Sequence, residues 1–340
     1  MKKALLIISA ILGITSIYSL WSVFGPTVSA PTEKFFYVRT GSTYNQVTQS
    51  LKANKIIKGS FFFNIVSKRV KYNSNVKAGK YEIKNGMSIV DLVRMLKSGR
   101  QSAVRLVINK LRTKEDLAGR LGQQFEIDSL EAINFITSND SLKRYHVDTN
   151  TVMTLVIPNS YLFWWNTSLK GLLDRLADQK KKFWLGQRTQ KAAAISFTPD
   201  EVYTIASIVE EETNKQGDKG LVASVYMNRV KKGMRLEADP TVKYALRDFG
   251  LKRILHGHLD HPSLYNTYLH TGLPPGPICT ASINTIDAVL DAPQTDYIFF
   301  VAKPDFNGYS NFAATYPEHL KFAKAYQHAL DSLIISRIKN

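Results

Sequence analysis

Apolar residues follow the N-terminal lysines in an unbroken run, and this run predicts the first element of the chain. Residues 4–32 contain no charged side chain, and residues 4–24 are mostly apolar. A helix over 4–24 would be about 31 Å long, which matches the hydrocarbon core of a bilayer. We therefore expect a transmembrane helix there, with residues 1–3 in the cytoplasm because lysines favour that side. The stretch Val28-Ser29-Ala30 resembles a signal-peptide cleavage site, so a removed signal is the alternative, and in either case the rest of the chain is exported.

Short apolar runs with two different spacings follow the predicted membrane segment. Residues 25–33 are rich in turn formers and predict a linker. Beyond the linker, the spacing predicts strand, helix, helix, strand and helix at residues 35–38, 47–51, 61–70, 79–83 and from Ser88 onward. We interpret residues 34–100 as a compact α+β domain. Its order of strand, glycine turn and two short helices resembles LysM-type modules, which bind glycan strands.

A larger mixed α+β domain is predicted for residues 101–340. Its first hundred residues have mainly helical patterns, and the aromatic cluster at 161–165 is assigned to the core rather than to a sugar-stacking platform. Thr198, Pro199 and Glu201 form a helix-start signature, with an N-cap, a proline at the first helical position and a capping box. Later patterns predict a helix at 221–232, a buried strand at 297–301 and a closing helix at 316–335. The fold class is therefore α+β, with a transmembrane helix, a small LysM-like domain and a larger mixed domain.

Composition restricts the partners of the exported part. The chain contains 45 Lys and Arg against 28 Asp and Glu, which gives a net charge of +17. Such a charge suits a polyanion, namely nucleic acid, an anionic lipid surface or an acidic polymer of the cell envelope. Export excludes nucleic acid and leaves the envelope. The single cysteine, Cys279, excludes an intramolecular disulfide and is expected in the core.

Three consecutive glutamates close an apolar helix at residues 205–213. Adjacent carboxylates repel one another, and successive helical side chains point about 100° apart, so the three have different environments. Glu211 is expected to lie opposite the apolar stripe and face water, whereas Glu210 and Glu212 lie on its flanks. Glu212 is one turn beyond Ile208, and contact with aliphatic side chains raises the pKa of a carboxyl toward that of a general acid. Glu212 is therefore the first candidate proton donor and Glu210 the second.

Two kinds of glycosidic cleavage are compatible with one favoured glutamate. Hydrolysis ordinarily uses two carboxyl groups, and Asp239, in a proline-containing turn, is the second candidate. A single acid suffices when the nucleophile belongs to the substrate, as the 6-hydroxyl of an N-acetylmuramyl (MurNAc) sugar does when it attacks its own anomeric carbon. One glutamate then protonates the leaving oxygen and deprotonates the 6-hydroxyl. The residues alone leave both reactions open.

Several blocks of the larger domain resemble one known family in their order and spacing. The blocks at residues 205–213, 222–230, 233–236, 239–242, 265–268 and 272–276 are similar to those of the endolytic murein transglycosylase (YceG-like) family, and the similarity extends over residues 30–330. The family's pattern is Glu-x-Glu-Thr, whose second glutamate is catalytic, and this implies Glu212. The resemblance implies cleavage of the bond between MurNAc and N-acetylglucosamine (GlcNAc) inside nascent glycan strands, leaving 1,6-anhydro-MurNAc ends. Glu237 departs from the family, which usually has glutamine there.

The resemblance also implies a location, partners and further site residues. It implies a single-pass anchor in the bacterial cytoplasmic membrane, a catalytic domain outside it, peptidoglycan strands as substrate and penicillin-binding synthases as partners. Substrate contacts are expected from Glu210, Asp239, Thr241, Tyr265, Asn266, Tyr268 and Arg229. Asp239 could instead cap its turn, and Tyr265, Asn266 and Tyr268 could instead order a loop.

No cofactor is expected, and no metal site is assigned. Four histidines lie close together in the sequence but match no zinc spacing: His256, His258, His261 and His270. The alternative function is a non-catalytic scaffold that binds peptidoglycan within the cell-wall synthesis machinery. A scaffold tolerates loss of the Glu212 carboxyl, whereas the enzyme does not.

Overall fold

The computed structural model describes the backbone of residues 2–339 and side chains through residue 335. Met1, from the predicted cytoplasmic N-terminus, and Asn340, at the end of the predicted larger domain, lie outside the described residues. The strands β1 to β6 are Phe35–Val38, Gly79–Glu82, Val104–Ile108, Asn159–Phe163, Phe299–Ala302 and Ser310–Ala313. The helices α1 to α15 are Lys2–Phe24, Tyr44–Ala53, Phe61–Arg69, Ile89–Ser98, Lys114–Gln124, Ser129–Ile136, Asn139–Leu142, Leu169–Trp184, Gln187–Ala194, Pro199–Glu212, Gln216–Lys231, Asp239–Leu246, His256–Leu259, Ile283–Leu290 and Tyr316–Lys339. Two short 3-10 helices lie at Lys143–Tyr145 and Val152–Leu155.

The first helix, α1, is long and apolar. Within residues 2–339 it is the single helix whose length and composition allow it to cross a membrane. Its apolar side chains are exposed along most of its length, as Leu6, Ile14 and Ile17 are. Such exposure in water would be costly, so the helix is suited to a hydrocarbon surrounding. This agrees with the predicted single-pass anchor.

The remaining chain folds with α1 into two compact units. The first unit consists of residues 1–106, 122–128 and 161–169, and the second of residues 107–121, 129–160 and 170–340. The predicted division at residue 100 lies close to the end of the first segment. The two later segments return to the first unit, which a boundary drawn along the sequence does not anticipate.

The small module of the first unit contains β1, α2, α3, β2 and α4. Its two strands pair antiparallel, with Phe35 opposite Glu82. Thr43 caps α2 through a capping box, and Ser88 caps α4, because both hydroxyls accept a hydrogen bond from a backbone N–H in the first turn. The faces buried between these elements form one apolar core, of which Phe63 is a fully buried member. The order of these elements agrees with the sequence prediction, and their bounds agree closely except for α2, which was predicted at 47–51 and is longer at both ends.

Residues 25–33, predicted only as a linker, pack against this module and form hydrogen bonds with it. Val28 is buried in its core and forms an antiparallel bridge with Met87. The Ser29 N–H donates to the Ile56 carbonyl at 3.0 Å, and the Ala30 N–H donates to the Asn85 side chain. The segment is irregular in conformation, but its residues contribute to the fold.

The second unit has α10 at its centre. Every residue of α10 from Val202 to Val209 is buried, and the helix packs against α11, α12 and α14. Val222 from α11 and Ile286 from α14 belong to the same core cluster. Cys279 is fully buried, and its thiol donates to the Ser207 carbonyl, which confirms the predicted core position.

Several strands differ from the prediction. Residues 101–200 contain β3 and β4 as well as helices, and these two strands pair with each other. The aromatic cluster alternates along β4 and the two residues after it. Tyr161, Phe163 and Trp165 are buried whereas Trp164 is exposed, so the core assignment holds for one face only. The predicted buried strand at 297–301 was wrong in its burial: β5 is partly exposed and forms an antiparallel hairpin with β6.

Candidate active site

The last turn of α10 carries the three consecutive glutamates. The Thr198 hydroxyl accepts a hydrogen bond from the Glu201 N–H, and the Glu201 carboxylate accepts one from the Thr198 N–H, as the capping box predicts. The helix ends at Glu212, because Thr213 has an extended backbone. A helix C-terminus carries a partial negative charge, which disfavours carboxylates in the last turn. Each of the three glutamates there therefore needs a cationic partner or a proton.

Glu211 has two cationic partners. Its carboxylate lies 2.8 Å from the Lys110 ammonium, and two guanidinium nitrogens of Arg112 donate to it at 3.2 Å. Burial acts to raise the pKa of Glu211, but the hydrogen bonds and charges of Lys110 and Arg112 outweigh it and lower the pKa. The expectation that Glu211 faces water was therefore wrong, since its side chain is only 17 % exposed and ion-paired.

Glu210 has a more deeply buried set of partners. Its Oε2 accepts hydrogen bonds from the Lys219 ammonium at 3.1 Å, the Ser282 hydroxyl at 2.9 Å and the Thr285 hydroxyl. Burial acts to raise the pKa of Glu210, but these hydrogen bonds and the Lys219 charge lower it overall. Glu210 is a buried carboxylate that joins α10 to α11 and α14. Its Oε2 is occupied by three protein donors, and the substrate contact expected of Glu210 stays a prediction.

Glu212 differs from both neighbours. Its Oε2 has no solvent-accessible surface and no hydrogen-bond partner among the residues described. Burial and the negative charge of Asp239 raise its pKa to about 7, against opposing contributions from a Tyr226 hydrogen bond and the Lys243 charge. A carboxyl with this pKa is partly protonated at neutral pH and can give up or take back a proton. This is the property that the helical pattern predicted for Glu212.

Tyr226 holds the Glu212 carboxyl from α11. The tyrosine is fully buried, and burial together with the neighbouring Glu212 charge raises its own pKa well above the usual value. Its hydroxyl therefore stays neutral and hydrogen-bonds to Glu212. Tyr226 packs edge-on against Phe300, which fixes the ring in place.

Asp239 and Tyr268 form a second polar group beside Glu212. Asp239 is exposed at the start of α12, and its Oδ1 accepts a hydrogen bond from the Tyr268 hydroxyl at 2.7 Å. Burial, followed by this hydrogen bond and the Asp239 charge, raises the pKa of Tyr268. The pair keeps a negative charge close enough to Glu212 to raise the pKa of that carboxyl.

Thr241 and Asn266 are fully buried, and their polar atoms are engaged within the protein. The Thr241 hydroxyl donates to the Ala238 carbonyl at 2.7 Å and lies 2.8 Å from the Thr267 hydroxyl. The Asn266 amide donates to backbone carbonyls in the turn at 259–261. Both side chains hold the backbone around Asp239 and Tyr268, and the substrate contacts expected of them stay predictions.

Arg229 is also occupied by protein groups. Its guanidinium donates to the Ile298 carbonyl at 2.7 Å, to the Leu236 carbonyl at 3.0 Å and to the Glu237 carboxylate at 2.9 Å. The side chain is buried. Arg229 therefore joins α11 to the loop before α12, and the substrate contact expected of it stays a prediction.

Tyr265 remains at the surface of the second unit. Its ring is half-buried and packs on Tyr244 with centroids 4.7 Å apart. Burial and the adjacent Tyr244 raise the pKa of its hydroxyl. Its exposed part, like that of Tyr268, is available to contact a sugar ring.

The four histidines form no metal centre within residues 2–339, where no group of three His, Cys, Asp or Glu side chains is placed to hold an ion. The His258 Nδ1 accepts a hydrogen bond from the Leu255 N–H at 3.2 Å. This contact lies at the start of the short helix α13, so His258 has a local structural role.

Sequence reasoning assigned no role to four residues that control the glutamates: Lys110, Arg112, Lys219 and Tyr226. The two cations beside Glu211 lie about a hundred positions away in the chain, so no local pattern connects them. Lys219 is nine residues from Glu210, and a lysine one helix beyond a carboxylate run is a usable signal for an ion pair. Tyr226 belongs to one of the family-like blocks, but nothing in its spacing indicates that it faces Glu212.

A carboxyl with a raised pKa, held by a tyrosine beside a second carboxylate, distinguishes the candidate site of this α+β protein. The chain belongs to the YceG-like family, whose model matches residues 36–325. The match includes the small module from β1 onward and nearly all of the second unit, so the family assignment covers the site and its frame.

Relatives with curated names resemble the chain over most of its length. A protein of Bacillus subtilis named endolytic murein transglycosylase is 29% identical over 331 residues, covering 89% of each chain. A Streptococcus pneumoniae protein with the same name is 27% identical over 301 residues, and the match covers 77% of this chain and 53% of that protein. A crystal structure of a YceG-like protein from Listeria monocytogenes is 28% identical, with a TM-score of 0.54, and covers 84% of this chain and 98% of that one.

Proposed function

We propose that the protein is an endolytic lytic transglycosylase of peptidoglycan that uses Glu212 as its single acid and base. The observation that carries this proposal is the Glu212 carboxyl, whose pKa is raised to about 7 and whose Oε2 is buried without a partner among the described residues. The names of the Bacillus and Streptococcus relatives supply the substrate, murein, and the reaction class. The bond cleaved is that between MurNAc and GlcNAc in nascent glycan strands.

In the first step the protonated Glu212 donates its proton to the glycosidic oxygen. The bond between that oxygen and the anomeric carbon of MurNAc breaks, and the GlcNAc end leaves with a new hydroxyl. Positive charge develops on the sugar ring as Glu212 becomes a carboxylate. The Tyr226 hydroxyl, which hydrogen-bonds to Glu212, stabilises that carboxylate. The neighbouring Asp239 charge favours the positive sugar ring.

In the second step the 6-hydroxyl of the same MurNAc attacks the anomeric carbon. The Glu212 carboxylate takes the hydroxyl proton as the new bond between oxygen and carbon forms, and this restores the protonated glutamate. No water is consumed, and the products are a GlcNAc hydroxyl end and a 1,6-anhydro-MurNAc end. Intramolecular attack has a high effective molarity, so no activated water is needed.

The two alternatives are hydrolysis of the glycosidic bond and a non-catalytic scaffold, and the geometry of the site supports neither as well as the anhydro reaction. Hydrolysis would use Asp239 with a water molecule, but the Asp239 Oδ1 is engaged by Tyr268. A non-catalytic scaffold would have no use for a buried carboxyl with a raised pKa, because burying it without a cation in direct contact costs stability. The anhydro reaction uses Glu212, whose raised pKa suits it to proton transfer.

The rest of the chain fits action on an exported polymer. We infer that α1 anchors the protein in the cytoplasmic membrane with its lysine-bearing N-terminus inside. The β-α-α-β order of the small module supports a LysM-like role in holding glycan strands. Tyr268, which lies beside Asp239 and Glu212, and Tyr265 are the proposed sugar contacts. Penicillin-binding synthases, which make the strands, are the proposed partners.

The decisive experiment compares full-length protein with Glu212→Gln on isolated peptidoglycan glycan strands. Glutamine keeps the size of the side chain but cannot donate or accept the proton. We expect release of 1,6-anhydro ends, measured by mass spectrometry of the digested strands, to fall by about 10²–10⁴-fold. Glu131→Gln, at an exposed position in α6, is the matched control and should retain full activity.

The products separate the three functions. Undiminished anhydro release by Glu212→Gln would falsify the mechanism. Reducing ends heavier by one water would support hydrolysis with Asp239 instead. A parent protein that binds strands but releases neither product would support the scaffold.

A further inference from the structure

The last two turns of α1 run alongside the small module instead of ending above it. The Tyr18 ring lies edge-on to the Phe62 ring, with centroids 6.0 Å apart. Ser22 is buried, and its carbonyl accepts a hydrogen bond from the Thr27 hydroxyl. The module therefore contacts α1 several residues before the helix ends at Phe24.

The contact sets the depth of the module relative to a membrane. Tyr18 precedes Phe24 by six residues, a distance of about 9 Å along a helix axis. When α1 spans a hydrocarbon core of about 30 Å, its final turns lie at the boundary between acyl chains and headgroups. Phe62, which touches Tyr18, lies at that same level.

The outer face of α3 has the composition of an interfacial helix. Phe61 and Ile65 are 69% and 50% exposed, and they lie one turn apart on a face that continues to the exposed cations Lys68 and Arg69. The opposite side of α3 carries Phe63, which is buried in the module. We call Phe61, Ile65, Lys68 and Arg69 the α3 stripe. Apolar residues beside cations on one surface helix favour insertion among lipid headgroups.

A cavity beside the α3 stripe continues the same surface toward α1. It has a volume of about 420 Å³ and is lined by aromatic rings of α1 and α3, including Trp21 and Phe61, with Lys58 at its edge. Tryptophan and tyrosine near the end of a membrane helix favour the headgroup level. The ammonium of an exposed lysine at this level can pair with a lipid phosphate.

We propose that the α3 stripe is a second membrane contact, in which Phe61 and Ile65 enter the headgroup region of the leaflet around the end of α1. Lys58, Lys68 and Arg69 then face the phosphates of anionic lipids. The small module is thereby held against the bilayer by a side surface as well as by the chain. This proposal rests on the membrane anchoring proposed for α1, which the experiment checks separately.

The test places an environment-sensitive fluorophore on Phe61→Cys in full-length protein with Cys279→Ala. The protein is inserted in nanodiscs of phosphatidylglycerol or of phosphatidylcholine, and co-elution with the disc reports α1 insertion. Gln49→Cys, at an exposed polar position on α2 of the same module, is the matched control. Circular dichroism melting of each labelled variant confirms that it is folded.

We expect the Phe61 label to emit at shorter wavelength than the Gln49 label and to be quenched by lipids with a nitroxide near the headgroup. The quenching should be stronger in phosphatidylglycerol than in phosphatidylcholine discs. A Phe61 label in inserted protein that behaves like the Gln49 label overturns the proposal. Equal quenching in both lipids overturns the part assigned to Lys58, Lys68 and Arg69. The readout needs no turnover, so neither result depends on the proposed enzymatic activity.

Discussion

Three identical side chains at the end of α10 have three different charge environments. Glu211 has two cations within hydrogen-bond distance, Glu210 has one cation and two hydroxyl donors, and these partners lower the pKa of each glutamate. Glu212 has a neutral tyrosine and a nearby carboxylate, and burial raises its pKa to about 7. At a helix C-terminus a carboxylate without a cation is disfavoured, so the proton is retained at the one position that lacks a direct ion pair.

The raised pKa of Glu212 predicts a cost in stability that the glutamine variant removes. The carboxyl has a pKa of about 7 in the folded protein against a reference value of 4.5. Below the reference value both folded and unfolded chains are protonated, so the cost is absent. As the pH rises from the reference pKa to the pKa in the folded protein, the carboxyl ionises in the unfolded chain first. The free energy of unfolding therefore falls by about 3 kcal/mol in total.

Glu212→Gln should therefore be more stable than the parent above neutral pH and lose that advantage in acid. Thermal or urea unfolding at about pH 8 and about pH 4 measures the difference. Glu131→Gln should show no such pH-dependent gain, because its side chain is exposed. A gain for Glu212→Gln that is the same at both pH values would contradict the assigned pKa.

Two neighbours of Glu212 should shift the pH dependence of activity in opposite directions. The Tyr226 hydrogen bond lowers the pKa of Glu212, and the Asp239 charge raises it. Since the first step needs the protonated acid, activity should fall about tenfold per pH unit above that pKa. Tyr226→Phe should move this decrease in activity to higher pH. It should also lower kcat about tenfold, because the Glu212 carboxylate loses a hydrogen bond.

Asp239→Asn should move the same decrease in activity to lower pH, because it removes the charge that disfavours the Glu212 carboxylate. Rates of anhydro-end release against pH provide the measurement for both variants. If the pH at which activity falls shifts in the same direction in both variants, the two residues act through packing instead of through the Glu212 carboxyl.

The sequence predicted the raised pKa of Glu212 but not the ion pairs of Glu211. Glu212 is placed by local helical geometry, because its position relative to Ile205 and Ile208 follows from the helix alone. The partners of Glu211 come from the segment before α5, and only the tertiary fold brings Lys110 to that surface. Local patterns predict which side of a helix meets the core, but they do not predict which distant cation covers the other side.

At the scale of elements, the buried ion pair between Glu210 and Lys219 fixes the end of α10. The two side chains are 17% and 9% exposed, so little solvent screens them. Thr285 from α14 donates to the same carboxylate. The direction of the last turn of α10, and with it the position of Glu212, therefore depends on α11 and α14.

Removing one partner of this pair should be costly. Lys219→Met keeps an apolar stem of similar length but leaves the Glu210 carboxylate buried without its cation. We expect a loss of about 3–5 kcal/mol in the free energy of unfolding, measured by urea denaturation. Removing the carboxylate charge as well, in Glu210→Gln with Lys219→Met, should recover much of that loss.

Arg112→Met is the comparison at the neighbouring glutamate. Glu211 keeps Lys110, and the Arg112 side chain is 39% exposed, so the loss should be no more than about 1 kcal/mol. Equal losses for Lys219→Met and Arg112→Met would contradict the difference in burial between the two pairs.

Elements with strong local signals were predicted well, and strands that depend on distant pairing were not. The capping box of Thr198 and Glu201 places the start of α10, and β1 follows from a short apolar run. The strands β3 and β4 pair across about fifty residues, and β6 is a partly exposed hairpin strand of four residues. Such strands depend on tertiary neighbours, which a single sequence window does not contain.

At the scale of the whole molecule, the membrane segment and the folded module are continuous. Val28 contributes to the core of the module and bridges to Met87, and Ser29 and Ala30 donate hydrogen bonds to it. Signal-peptide cleavage after Ala30 would remove Val28 from that core. Loss of this core residue is our reason for proposing that α1 is retained, whereas the sequence left a cleaved signal open.

We predict that protein extracted from membranes keeps its N-terminal segment. Intact mass spectrometry should find a chain near 38.3 kDa, the mass of all 340 residues, and not a shorter species beginning at Pro31. Val28→Asp should lower the free energy of unfolding of the retained chain by about 2–4 kcal/mol, because it places an unpaired charge in the core of the module. Thr32→Asp, a neighbouring exposed position, should change it little. A mature chain that begins at Pro31 and melts like the full-length protein would show that residues 28–30 are dispensable and that α1 is a signal.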